Sequence, residues 1–84
     1  MKTLDTYKEL ENSLTMTHLF YFQEFNKTTK ETKRACWRIF NNTATALKKA
    51  RNLAKDWDYI KAVETLLKSF DRVEKIKSDF WLDY

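Results

Sequence analysis

Apolar side chains recur along the chain at steps of three and four. In the first segment Leu4, Tyr7, Leu10, Leu14, Tyr21 and Phe25 form one line, with Leu19, Phe20 and Phe22 thickening it near its end. Steps of three and four match the 3.6-residue turn, which predicts an amphipathic helix over about 4–25. The helix is expected to stop near Asn26, a residue that tolerates the left-handed cap, in the polar run Asn26, Lys27, Thr28 and Thr29.

Thr28 and Glu31 have the spacing of a capping box, which predicts a second helix over 29–56. At 100° per residue, Cys36, Ile39, Phe40, Thr43, Ala46, Leu47, Ala50, Leu53, Ala54 and Trp57 gather on one side of it. Asp56 and Asp58 bracket Trp57 and mark a corner, where an aspartate N-cap opens a third helix over 59–82. Val63, Leu66, Phe70, Val73, Lys77, Phe80 and Tyr84 line that helix, and Ile60, Leu67 and Ile76 broaden its face. Glu64 with Lys68 and Asp71 with Lys75 have the favourable i to i+4 order on its outer side. The expected fold is all-α, a three-helix antiparallel bundle forming a single domain over 1–84, with a homodimer of bundles as its natural extension.

Composition narrows the chemistry. The 84 residues are 43% hydrophobic and include thirteen Phe, Tyr and Trp, enough apolar area for one modest core. Glycine and proline are both absent, so any left-handed turn must be made by Asn, Asp or a strained residue. Phosphate-cradling loops, dinucleotide fingerprints and nucleophile elbows all require glycine, which argues against nucleotide-driven catalysis. His18 and Cys36 are the only candidate base and nucleophile, and nothing in their spacing supports catalysis; His18 reads as a boundary residue and Cys36 as a small buried hydrophobe. One His and one Cys cannot fill a zinc site, so no metal, no cofactor and no enzymatic activity is expected. The Arg-x4-His pattern of helical ribonucleases is missing, because no arginine precedes His18. The lone cysteine, the N-terminus without a signal-peptide pattern and the lack of an apolar run long enough for a membrane span predict a cytoplasmic protein.

The net charge of +4 conceals a strong asymmetry. Residues 1–26 hold two Lys/Arg against four Asp/Glu, residues 56–84 hold five against seven, and residues 27–55 hold nine against one. Lys30, Lys33, Arg34, Arg38, Lys48, Lys49, Arg51 and Lys55 all fall opposite the apolar stripe of the second helix, which makes its outer face a basic strip. Trp37 falls inside that strip, among Lys33, Arg34 and Lys48, and Asn41, Thr45 and Asn52 share the face. Single-stranded nucleic acid uses such a combination, with bases stacked on an aromatic ring and phosphates held by cations. The competing expectation is an ordinary solvated face on which Trp37 caps the core beside Phe40 and Ala44. At the C-terminus Phe80, Trp81 and Tyr84 form a second candidate site, an aromatic anchor for a partner protein, a dimer interface or the core itself.

Small size, a residue usage heavy in Lys, Asn, Thr and Phe, and the absence of catalytic groups give the chain a general character that resembles the accessory proteins with which virulent phages disarm host defences. Within that group it resembles the TifA-type inhibitors, by which T-even phages neutralise the ToxN endoribonuclease of a type III toxin–antitoxin system. The resemblance implies RNA binding, a host toxin or nuclease as protein partner, and action in the host cytoplasm; no individual residue carries over by motif. The alternative function is a protein-binding helical inhibitor of the anti-CRISPR or bacteriocin-immunity type, without nucleic-acid contact.

Overall fold

The computed structural model describes residues 2–80. Three helices account for nearly all of them: α1 (Lys2–Lys27), α2 (Lys30–Lys55) and α3 (Tyr59–Asp79). Neighbouring helices run antiparallel, as the cross-links Glu11–Arg51, His18–Thr43 and Asn42–Ser69 require. The all-α three-helix bundle expected from the periodicity is the observed fold, 42 × 20 × 15 Å in extent.

The first link differs in detail from expectation. α1 runs to Lys27, and Asn26 stays within it, donating from its side chain to the Phe22 carbonyl at 3.1 Å. The N-cap of α2 is Thr29, which makes no side-chain capping bond. With Thr29 in place of Thr28 as the cap, Glu31 sits one position short of the place a reciprocal box requires, and as an acid in the first turn it complements the helix dipole.

At the second corner the glycine-free sequence has its sharpest consequence. α2 ends in a Schellman motif: the Asp58 N–H donates to the Leu53 carbonyl and the Trp57 N–H to the Ala54 carbonyl, each at 3.0 Å. The motif demands a left-handed residue at the position after the cap, and Trp57 occupies it with φ 62°. Its ring is consequently thrown outward, 79% exposed, although the 3.6-residue pattern places it on the apolar stripe. Asp58 then caps α3 by accepting from the Lys61 N–H at 3.2 Å, as expected. α3 ends at Asp79 with Phe80 as C-cap; Trp81 and Leu82, which the sequence places at the end of this helix, lie outside the described residues, as does Tyr84.

Two apolar clusters form the core. Tyr7, Leu14, Ala46, Leu47, Ala50, Ala62 and Leu66 fill one end of the bundle, and Tyr21, Ala35, Cys36, Ile39, Val73 and Ile76 fill the other. Tyr7, Leu14 and Tyr21 are seven residues apart, and the buried line of α3 steps Ala62, Leu66, Ser69, Val73, Ile76, so both keep the 3.5-residue period of supercoiled helices. That line shares Leu66 and Val73 with the expected one, but Ala62, Ser69 and Ile76 take the places expected for Val63, Phe70 and Lys77. Ile60 and Leu67 are exposed, and so are Leu19, Phe20 and Phe22 of α1, while the small Ala62 and Ser69 are inside. Neither Glu64–Lys68 nor Asp71–Lys75 closes into an ion pair; Lys61–Asp58 and Lys77–Glu74 do, at 3.8 and 3.5 Å.

Between the clusters lies a polar layer that joins all three helices. His18 of α1 meets Thr43 of α2 at 2.9 Å, and Ser69 of α3 donates to the Asn42 side chain of α2 at 2.7 Å. Thr43 and Ser69 are buried, and no described buried side-chain polar atom lacks a partner. Sliding any helix by one turn would break these bonds and strand polar groups in the interior, so the layer sets the register.

Candidate nucleic-acid interface

The outer face of α2 follows from its own periodicity. Ala35, Cys36, Ile39, Thr43, Ala46, Leu47 and Ala50 turn inward, which leaves the opposite arc to the long basic side chains. Lys30, Lys33, Arg34, Arg38, Lys48, Lys49, Arg51 and Lys55 are all exposed, and Asn41, Thr45 and Asn52 lie among them. From Lys30 to Lys55 the face is roughly 37 Å long at the helical rise, the length of several nucleotides of an extended strand.

Few of these charges are neutralised within the chain. Among the described residues Arg51 alone of the eight pairs with a carboxylate, Glu11 at 3.5 Å, and it also donates to Thr15 at 3.3 Å. Arg51 is thereby held toward α1, at the edge of the strip. Lys33 places its Nζ 4.9 Å from the centre of the Phe25 ring, and Arg38 stands 5.6 Å over Phe80 at the end of α3. Phe80 itself packs on the second apolar cluster.

Trp37 is half exposed at 48% and leans toward α1. It stacks on Phe40 at 5.8 Å with 22° between the planes, and meets Phe25 at 5.5 Å. Phe40 in turn stacks on His18 at 4.5 Å and touches Phe22 at 5.5 Å. The two sequence expectations for Trp37 therefore combine: it caps the core edge beside Phe40 and still presents ring surface within the basic strip. The result is a ladder of five rings, His18, Phe40, Trp37, Phe25 and Phe22, along the α1–α2 seam.

The polar layer orients the first rung. The Thr43 hydroxyl donates to the Ile39 or Phe40 carbonyl, at 2.9 and 3.0 Å, so toward His18 it acts as acceptor. His18 then donates to it from Nδ1. Beyond this rung the seam opens into a cleft of about 460 Å³ lined by Thr15, His18, Lys48, Arg51, Asn52 and Lys55. On the other flank a groove of about 620 Å³ between α2 and α3 brings Arg72 beside Trp37, Arg38 and Asn41.

Residue-level reading of α2 found every member of the strip but missed the residues that α1 and α3 contribute. His18, Phe22 and Phe25 follow one another at steps of four and three, a second line on α1 displaced from the core line. That spacing was the available signal, absorbed into an over-wide apolar stripe. Arg72 had none.

Cys36 is fully buried in the second cluster; burial, with the Glu24 carboxylate adding to it, pushes its thiol upward in pKa. Among the described residues no three His, Cys, Asp or Glu side chains are grouped to hold a metal ion, and no helix is long and apolar enough to cross a membrane. No protein family, curated protein or solved structure matches the chain.

Proposed function

We propose that the chain is a non-enzymatic binder of single-stranded nucleic acid, RNA in the first instance, that acts by occupying its ligand. The observation that carries this reading is the partly exposed aromatic ladder of the α1–α2 seam, bordered by cations of which, among the described residues, only Arg51 pairs with a carboxylate. Aromatic faces stack any base, and a row of unpaired lysines and arginines neutralises phosphates while releasing their condensed counterions. Seven cations on one helix without a carboxylate partner among the described residues repel one another, and a bound polyanion relieves that repulsion.

Roles follow from position. Trp37 and Phe22 offer the exposed ring faces, with Phe40, Phe25 and His18 supporting them from behind. Lys30, Arg34, Lys48 and Lys55 hold the backbone along the outer face; Lys33 and Arg51 border it on the α1 side, Arg38 and Lys49 on the α3 side. Asn41 and Asn52 supply amide groups for base edges or sugar hydroxyls. The resemblance to phage anti-defence proteins extends the proposal: RNA held on this face would bring the chain to a host nuclease, whose inhibition is the biological output.

The test is fluorescence anisotropy of a labelled single-stranded RNA across a salt series. Binding is expected to weaken with salt at a slope of about −3 to −5, corresponding to roughly five to seven neutralised phosphates. Trp37→Ala should cost about 1–3 kcal/mol of affinity with the slope preserved. Arg34→Glu with Lys48→Glu should flatten the slope. Absence of binding at physiological salt, or indifference to both changes, refutes the reading in favour of the alternative, a helical inhibitor that contacts protein only.

A further inference from the structure

The back of the bundle carries a second surface of opposite character. Four of the eight exposed large apolar side chains among the described residues, Met16, Leu19, Phe20 and Phe22, fall within seven consecutive positions of α1. Met16 is 64% exposed and Leu19 50%. Between Glu11 and Glu24 the helix has no Asp, Glu, Lys or Arg at all. Phe22 turns into the aromatic seam, whereas Met16, Leu19 and the flank of Phe20 share the outward arc with Glu9, Asn12, Gln23 and Lys27. An apolar centre with a polar rim is the anatomy of a protein interface, and water is a poor neighbour for it.

The pattern along this arc is self-complementary. Glu9 and Lys27 are equally far from residue 18, on the same flank of the helix, and neither makes an ion pair among the described residues. A two-fold axis across α1 at that residue would set Glu9 of one copy against Lys27 of the other, twice, and Met16 against Phe20. A parallel pairing would instead place like charges together. The segment 1–26 carries net −2, so the surface also lacks the repulsion that a pairing through α2 would suffer.

We infer that the occupant of this face is a second copy of the chain, packed antiparallel α1 against α1 about residue 18. In that dimer both basic strips remain outward on opposite sides, so one particle offers two nucleic-acid faces. The uncharged centre is buried, and the charged ends choose the antiparallel orientation over the parallel one.

Sedimentation equilibrium of the full chain tests this directly. The expected mass is about twice the 10.2 kDa of one chain, dissociating on dilution. Leu19→Glu buries two charges at the dyad and should raise the dissociation constant at least roughly 30-fold with helicity by circular dichroism unchanged. Glu9→Lys and Lys27→Glu should each weaken the dimer roughly tenfold, and the two together should restore it. A wild-type monomer throughout the micromolar range, a Leu19→Glu dimer as tight as wild type, or a double charge swap no tighter than either single change overturns the proposal. RNA binding by the monomeric Leu19→Glu chain, measured alongside, keeps this outcome separate from that of the nucleic-acid reading.

Discussion

Replacing Thr43 with valine keeps the shape of the side chain and removes one hydroxyl from the interior of the bundle. Thr43 is fully buried, and its oxygen is the acceptor for the His18 Nδ1–H at 2.9 Å. The bonds it donates to Ile39 and Phe40 go to carbonyls within its own helix, so their loss matters less than that of the α1–α2 link. A single intramolecular hydrogen bond contributes about 0.5–1.5 kcal/mol, and the half-buried imidazole left without its partner keeps the cost toward the upper part of that range. The added methyl group recovers a fraction by apolar burial. We expect a loss of about 1 kcal/mol, which for a domain of this size lowers the urea midpoint by roughly 1 M or somewhat less. The decisive assay is a double-mutant cycle with His18→Ala: the two losses should overlap by about 1 kcal/mol, because each removes the same bond. Thr43→Ser, which keeps the hydroxyl, should retain the coupling despite losing a buried methyl group. Additivity of Thr43→Val and His18→Ala within about 0.3 kcal/mol would refute a polar layer that ties α1 to α2. The same substitution loosens the ring stacked on Phe40, so RNA affinity should fall, though by less than with Trp37→Ala.

Three further outcomes follow from the same architecture. Trp57→Gly should raise stability by about 0.5–1 kcal/mol, since a left-handed non-glycine residue costs about 1–2 kcal/mol and the greater freedom of unfolded glycine returns part of it; a lower urea midpoint for this variant would show that the corner is not strained. Burial first, then the adjacent Glu11, pushes the Tyr7 phenol up to about 12, above its usual value of 10.0. A folded-state value above the unfolded one means the stability is intact below pH 10 and is lost as pH rises toward 12, by up to about 2.5 kcal/mol, and Tyr7→Phe should flatten that alkaline loss in a denaturation series. Cys36, buried and with its thiol raised in pKa, should react with iodoacetamide much more slowly in the native protein than in urea; equal rates would contradict its place in the second cluster.

Three helices, their approximate limits and the basic strip were legible in the sequence because each rests on a local rule. The 3.6-residue turn fixes which side chains share an arc, and a helix with nine cations against one acid over 27–55 must display them wherever its apolar arc is covered. Which members of a broad arc are covered is a different matter, decided by where the neighbouring helices stand. Leu19, Phe20, Phe22, Ile60 and Leu67 are as apolar as the core residues, yet the bundle leaves them in water and takes in Thr43, Ser69 and Ala62 instead. Close approach favours small residues on the supercoiled line, and Thr43 and Ser69 bring polar atoms that meet His18 and Asn42 from other helices. Trp57 shows the same division, since its stripe position is local but the left-handed corner that throws it outward belongs to the α2–α3 turn. The aromatic ladder belongs wholly to the tertiary structure. His18, Phe22 and Phe25 meet Trp37 and Phe40 only because α1 and α2 pack antiparallel, with the polar layer holding one helix in register with the other.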